Sequence, residues 1–127
     1  MSAYKDLRVL VVDDMDALVQ KMSSILKGMG FGYIDTANSG NEAWISILNS
    51  VESEPYHLIL SDINMKNGNG ITLLKKAKES VDTCDVPFLI MSTMSEKDVV
   101  MKAIEIGVDN FIVKPFDLAT VKEKIDS

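Results

Sequence analysis

Five polar residues that could support chemistry stand at the ends of short apolar segments. They are Asp13, Asp14, Asp62, Ser92 and Lys114. Carboxylate oxygens are ligands that hard divalent cations prefer. An aspartate carboxylate can also act as a nucleophile that accepts a phosphoryl group. If these side chains converge, their chemistry is that of a cation-assisted phosphoryl-transfer site.

The charges of these residues indicate how such a site would work. Three carboxylates in one place repel one another, so some must be protonated or a cation must bind. Mg²⁺ commonly takes one or two carboxylates together with water and phosphate oxygens, which leaves one aspartate as the nucleophile. Phosphoryl transfer needs mainly positioning and charge stabilisation. Lys114 and the cation would supply positive charge, and the Ser92 hydroxyl would hydrogen-bond a phosphoryl oxygen.

The elements that must position these residues are strands and helices in alternation. Apolar runs predict strands over 7–12, 33–37, 58–61, 86–91 and 110–113. Several runs are nearly all apolar, which is typical of strands buried on both faces of a parallel sheet. Helical periodicity fills the intervals, with a glycine stop near 28–30 and a capping box at 39–42. Further helices are predicted over 71–81, from Ser95 to a stop at Gly107, and after Asp117.

Five successive strand–helix units predict an α/β fold with a doubly wound, five-stranded parallel sheet and five helices. The crossovers between parallel strands are almost always right-handed, which places helices on both faces. In the strand order 2-1-3-4-5, function collects at the carboxyl ends of strands one and three. Asp13, Asp14 and Asp62 are expected at that edge.

Composition limits the classes of function. The 127 residues are enough for one domain, predicted to span 1–127, and the net charge of −6 argues against sequence-independent binding of nucleic acid. No apolar run has the length of a membrane span, and the polar N-terminus does not resemble a signal peptide. The single cysteine, Cys84, cannot form an internal disulfide, so a reducing, cytoplasmic setting is expected.

At these residues the sequence resembles the response-regulator receiver family, and within it the free-standing CheY-like chemotaxis type. The resemblance covers about residues 6–126. It rests on the strand that ends in Asp13-Asp14, the segment 58–65 around Asp62, Gly70, the segment 87–92, and Lys114-Pro115-Phe116. The resemblance implies a flavodoxin-like fold and a signalling switch of a two-component system, which catalyses its own phosphorylation and dephosphorylation and is not a classical enzyme.

The resemblance also implies a role for each site residue. Asp62 is the phosphorylation site, and Mg²⁺ is held by Asp13, Asp14, Asp62 and the backbone carbonyl of Asn64. Lys114 binds the phosphoryl group, and its bond to Pro115 is expected to be cis. Ser92 and Phe111 are the switch residues, although plain core packing is the alternative for Phe111.

The implied partners are proteins. The phosphoryl donor would be a CheA-like histidine kinase, and the target a flagellar motor switch protein or a phosphotransferase. The chain is expected to be a monomer that binds neither nucleic acid nor membrane. Four positions depart from the family pattern, namely Lys66, the pair Gly68-Asn69, Thr93 and Met94. A receiver excised from a larger sensory protein is a further alternative.

Two other classes of protein stay open at this point. A small Mg²⁺-dependent phosphatase would use the Asp-x-Asp pattern of Asp14-Met15-Asp16, with Asp14 as its nucleophile. The absence of the further residues that such phosphatases require argues against it. A flavin-binding protein is less consistent with the sequence, because the acidic loop after the first strand is unsuited to a flavin phosphate.

Overall fold

Five parallel strands form one sheet in the order β2-β1-β3-β4-β5, as the sequence predicts. The computed structural model describes residues 4–65 and 69–126. The strands are Arg8–Val12 (β1), Tyr33–Ala37 (β2), Leu58–Asp62 (β3), Phe88–Ser92 (β4) and Asn110–Val113 (β5). The helices are Asp16–Met29 (α1), Gly40–Ser50 (α2), Gly70–Glu79 (α3), Lys97–Ile106 (α4) and Leu118–Asp126 (α5).

The core consists of two apolar layers, one on each face of the sheet. Side chains alternate along a strand, so Val9 and Val11 of β1 lie in one layer while Leu10 and Val12 lie in the other. The first layer is completed by apolar residues of α1 and α5, and the second by residues of α2, α3 and α4. The central strands are therefore buried on both faces, which explains their continuous apolar runs.

Two of the inner strands end on residues that the sequence predicts to be functional. β3 extends one residue beyond the predicted end and closes on Asp62, and β4 runs to Ser92. β4 begins at Phe88 rather than at the predicted Val86. Pro87, which precedes Phe88, has no N–H to contribute to the sheet. The polar side chains thus stand on rigid backbone at one edge of the sheet.

The third helix is shorter than predicted. It begins at Gly70, where Asn69 Oδ1 accepts a hydrogen bond from Thr72 N–H at 2.8 Å, and ends at Glu79 instead of Val81. Ser80 is already extended, and the Thr83 hydroxyl donates to the carbonyl of Ala77 at 2.7 Å. That side chain satisfies a carbonyl which the helix would otherwise leave open.

The fourth helix starts later than the predicted Ser95. A single 3₁₀ turn, Met94–Glu96, precedes α4, which begins at Lys97. The predicted stop is confirmed, because Gly107 ends α4 with a φ of 115°, in the left-handed region that favours glycine. None of the helices in the described ranges has the length and apolar character needed to cross a bilayer.

Candidate functional site

Three carboxylates meet at the carboxyl edge of the two central strands. β1 and β3 are paired with Val12 opposite Ser61, so Asp13 and Asp62 leave adjacent strands at the same level. Oxygen atoms of Asp13, Asp14 and Asp62 all lie within 4.8 Å of one another. Asp13 is fully buried and Asp62 is 6% exposed, so the cluster lies partly inside the protein. The sequence prediction that these three residues converge is therefore correct.

Asp13 is fixed by the start of the first helix. Its N–H donates to the carbonyl of Ala37 at 3.1 Å, and its Oδ1 accepts a hydrogen bond from Met15 N–H at 3.0 Å. The second oxygen, Oδ2, is buried and has no hydrogen-bond partner among the described residues. It lies 3.5 Å from the Lys114 ammonium. Asp13 thus supports the local turn with one oxygen and offers the other to the site.

Lys114 brings its ammonium into hydrogen-bond range of Asp62. Its Nζ donates to Asp62 Oδ1 at 2.9 Å, and the same oxygen accepts a hydrogen bond from Ile63 N–H at 2.9 Å. The backbone N–H of Lys114 donates to the carbonyl of Ser92 at 2.7 Å, which ties this loop to the end of β4. The Lys114–Pro115 bond is cis, as expected. Two donors therefore hold the Asp62 carboxylate in one orientation.

The electrostatics of the Asp62–Lys114 pair reflect burial as well as mutual attraction. Burial raises the pKa of Asp62, the nearby charge of Asp13 raises it further, and the hydrogen bond from Lys114 only partly opposes them. For Lys114, burial alone would lower the pKa. Its hydrogen bond and charge interactions with Asp62 and Asp13 outweigh burial and raise the pKa of the ammonium above its ordinary value. Burial thus disfavours the ionised form of Asp62 even with the Lys114 ammonium beside it.

A hard divalent cation fits this set of residues. Three carboxylates against one ammonium leave a formal charge of minus two when all are ionised. The buried Oδ2 of Asp13 lacks a hydrogen-bond donor among the described residues, and all three carboxylates offer oxygen ligands within a small volume. Carboxylate oxygens are the donors that Mg²⁺ prefers. The arrangement is therefore a candidate cation site that includes Asp62, the residue predicted to accept the phosphoryl group.

An open pocket of about 300 Å³ leads to Asp62. Its lining residues are Asp62, Asn64, Thr93, Ser95, Glu96 and Lys114. The sequence analysis did not single out Glu96. The segment Thr93-Met94-Ser95-Glu96 has the spacing of a capping box, which could have placed Glu96 beside Thr93. Glu96 places a fourth carboxylate on the rim of the pocket.

The predicted switch residues lie beside this pocket rather than in it. Ser92 is 1% exposed at the end of β4 and, together with Phe111, lines a separate cavity of about 430 Å³ against α4. Phe111 is half-buried, packs against the core, and has the Lys124 ammonium 5.1 Å from its ring centre. The structure places Phe111 and Ser92 along one cavity, which is compatible with the switch role and with the packing alternative.

Gly70 holds the loop after β3 close to Asp62. A Cβ atom at Gly70 would lie 2.2 Å from the carbonyl oxygen of Asp62, far inside van der Waals contact. The N–H of Gly70 donates to the carbonyl of Ile63 at 3.1 Å. Lys66 and Gly68, two of the positions that depart from the family pattern, lie outside the described residues.

The fold and this set of residues define the chain as a receiver domain. Residues 9–126 match the family described as the response regulator receiver domain, and the chain belongs to that family. It is 29% identical over 122 residues to chemotaxis protein CheY-3 of Vibrio cholerae, covering 96% of this chain and 91% of the relative. It is 28% identical over 127 residues to a chemotaxis protein CheY of Rhizobium etli, covering 100% of this chain and 95% of that protein.

Solved structures show the same fold. The chemotaxis response regulator CheY4 of Vibrio cholerae matches with a TM-score of 0.81 at 26% identity, covering 94% of this chain and 96% of that chain. A response regulator receiver domain protein from Clostridium thermocellum matches with a TM-score of 0.84 at 20% identity, covering 94% and 91%. The predicted resemblance and the predicted flavodoxin-like architecture are confirmed.

Proposed function

We propose that this receiver domain is a signalling switch that is phosphorylated on Asp62 with the help of Mg²⁺. The observation that carries the proposal is the arrangement of Asp62 itself. Its carboxylate is held by Lys114 at 2.9 Å, lies in a cluster with Asp13 and Asp14, and opens into a pocket that a phosphoryl group can enter. The three residues of the cluster and the backbone carbonyl of Asn64 would hold the ion.

Phosphoryl transfer requires little from the protein beyond positioning of the reactants and stabilisation of charge. An oxygen of Asp62 forms a bond to the phosphorus of the donor while the bond from phosphorus to the donor breaks, and the donor leaves with the electron pair. The ion, when bound, neutralises phosphoryl oxygens. Lys114 keeps the carboxylate oriented and balances part of the charge that develops on the phosphoryl group. The same residues would support hydrolysis of the aspartyl phosphate, which would return the domain to its unphosphorylated state.

The output would be a change in the surface beside the pocket. A phosphoryl group adds a charge of about −1.5 to −2 and three acceptor oxygens. Ser92 and Phe111 line one cavity between β5 and α4, so a movement of Ser92 towards the phosphoryl group would let Phe111 follow. Such a switch shifts the population between two states that already exist. The two relatives named as chemotaxis proteins support a CheA-like histidine kinase as donor. They also support a flagellar motor switch protein or a phosphotransferase as cytoplasmic target.

Intact mass after incubation with acetyl phosphate tests the proposal. One phosphoryl adduct is expected in the wild-type chain with Mg²⁺, none with EDTA, and none in Asp62→Asn. Asp82→Asn is the matched control, because Asp82 is exposed and lies in the turn after α3, away from the site. An adduct in Asp62→Asn equal to that of the wild type would contradict the assignment of Asp62.

A further inference from the structure

One carboxylate on the rim of the Asp62 pocket joins the two loops that enclose it. Glu96 Oε1 accepts hydrogen bonds from the N–H of Thr93 at 2.6 Å and from its hydroxyl at 3.0 Å. The other oxygen, Oε2, accepts a hydrogen bond from Asn64 Nδ2. Thr93 follows the last residue of β4, and Asn64 is the second residue after Asp62. All of these residues line the same pocket.

The hydrogen-bond donors that Glu96 occupies, on Thr93 and Asn64, are also the donors that another anion in the pocket would use. A phosphoryl group on Asp62 brings three strong acceptor oxygens into the space that Thr93 and Asn64 line. The amide of Asn64 and the N–H and hydroxyl of Thr93 are hydrogen-bond donors on two sides of that space. Because each already donates to a carboxylate, a phosphoryl group must compete with Glu96 for them. Two anions that share one pocket also repel each other.

We propose that Glu96 is a positioning residue that acts as an internal competitor of the phosphoryl group. Its carboxylate occupies the donors of Thr93 and Asn64 while Asp62 is unmodified, and it is displaced when a phosphoryl group arrives. The inference rests on the proposed phosphorylation of Asp62. It adds that Glu96 sets the affinity of the pocket for a phosphoryl group.

The displacement would also act on the start of the fourth helix. Glu96 is the last residue of the turn Met94–Glu96, and its bonds to Thr93 close that turn immediately before Lys97. Loss of these bonds frees the carboxylate from the loop that follows Ser92. The phosphoryl group is thereby linked to α4 through a hydrogen-bond exchange as well as through its charge.

The sign of an affinity change separates competition from simple capping. A carboxylate that only stabilised the turn would support the shape of the pocket, so its removal would weaken the binding of an anion. A competitor has the opposite effect, because its removal releases donors and removes a repelling charge. Glu96→Gln keeps the size of the side chain and removes the charge. Glu96→Ala removes the acceptor oxygens as well.

The test is a titration of the full chain with beryllium fluoride in the presence of Mg²⁺, followed by fluorine NMR or calorimetry. Beryllium fluoride binds a carboxylate as a tetrahedral mimic of a phosphoryl group. We expect Glu96→Gln to lower the dissociation constant by roughly three- to tenfold relative to the wild type, and Glu96→Ala to lower it as well. Glu105→Gln, an exposed residue of α4, is the matched control for the change in net charge and should leave the constant unchanged.

The outcomes distinguish this inference from the function on which it rests. Tighter binding by both Glu96 variants, with Glu105→Gln unchanged, supports the competition. Equal or weaker binding by Glu96→Gln, with a wild-type chain that binds the mimic, overturns the competition and leaves the proposed function intact. A wild-type chain that binds no mimic and gains no phosphoryl group overturns both.

Discussion

The ammonium of Lys114 lies 2.9 Å from Asp62 Oδ1, although the two residues are 52 positions apart in the sequence. The same ammonium is 3.5 Å from Asp13 Oδ2, so one cation serves two buried carboxylates that come from different strands. Each side chain alone is an ordinary strand-end residue. Their convergence makes a carboxylate that is oriented by Lys114 and open to solvent through a pocket, which is the arrangement that the proposed phosphoryl transfer requires.

Removal of the Lys114 charge is expected to destabilise the protein most when no cation is present. Lys114→Met leaves the two carboxylates without this ammonium. Breaking a fully buried pair costs about 3–5 kcal/mol, and because the Lys114 side chain is 15% exposed we expect a smaller loss of about 2–4 kcal/mol. Urea unfolding in EDTA should show this loss, and added Mg²⁺ should recover more stability in the variant than in the wild type. Lys122→Met is the control, because Lys122 pairs with Asp126 on an exposed helix surface. Equal losses in the two variants would contradict the account.

Mg²⁺ is expected to stabilise the wild-type chain through Asp13. A ligand that binds only the folded state adds about 2.7 kcal/mol at a hundred times its dissociation constant. Asp13→Asn removes the charge of a buried carboxylate whose second oxygen has no hydrogen-bond donor among the described residues, so the variant should bind Mg²⁺ at least tenfold more weakly. Thermal unfolding across a Mg²⁺ series measures the effect. If Mg²⁺ raises the thermal unfolding midpoint of Asp13→Asn as much as that of the wild type, Asp13 is excluded as a ligand.

The stability of the cation-free protein should depend on the protonation of Asp62. Burial and the charge of Asp13 raise the pKa of Asp62, so the folded state binds this proton more tightly than the unfolded state. The resulting stabilisation is fully present below the unfolded pKa of 3.8 and is lost as pH rises through the folded pKa. Asp62→Asn mimics the neutral form.

The variant Asp62→Asn should therefore be more stable than the wild type at pH 7 in EDTA, and the difference should shrink as the pH falls towards 3.8. Urea midpoints at several pH values measure it, with Asp82→Asn as the control at an exposed site. A variant that is less stable than the wild type at pH 7 would show that the Lys114 pair outweighs burial.

Gly70 should tolerate no side chain. The added methyl of Gly70→Ala meets the backbone oxygen of Asp62 at 2.2 Å, so the loop or the strand end must shift. We expect a loss of about 1–3 kcal/mol and slower phosphorylation. Gly28→Ala is the matched control, because its methyl would lie 3.3 Å from the flexible end of Leu118, and alanine favours the helix. A Gly70→Ala chain with wild-type stability and phosphorylation rate would contradict the close approach.

Much of the fold follows from local sequence patterns. The apolar runs of β1, β3 and β4 predict strands buried on both faces, and the capping box at Ser39 is confirmed by a hydrogen bond from Glu42 N–H to Ser39 Oγ at 3.1 Å. The carboxylate of Glu42 differs from the motif in one detail, because it accepts from Asn38 N–H at 3.2 Å. The predicted end of α3 at Val81 is wrong. The helix ends at Glu79, because the Thr83 hydroxyl donates to the carbonyl of Ala77, six residues earlier in the chain.

The site was predictable in its residues but not in its contacts. Carboxyl ends of parallel strands share one edge, so the order of strands alone brings Asp13 and Asp62 together. The bond between Glu96 and Asn64 joins residues 32 positions apart through side chains, and no periodicity indicates it. Ser92 lines a different cavity from Asp62 because the two side chains point to different sides at the ends of their strands, and the sequence pattern does not indicate this either.

Asp62, rather than Asp13 or Asp14, is expected to carry the phosphoryl group. Borohydride reduces an aspartyl phosphate to homoserine, which marks the modified residue permanently. After incubation with acetyl phosphate and Mg²⁺, reduction and peptide mass spectrometry should find homoserine at position 62 and unmodified aspartate at 13 and 14. Homoserine at position 14 would instead indicate the phosphatase-like nucleophile and contradict the account.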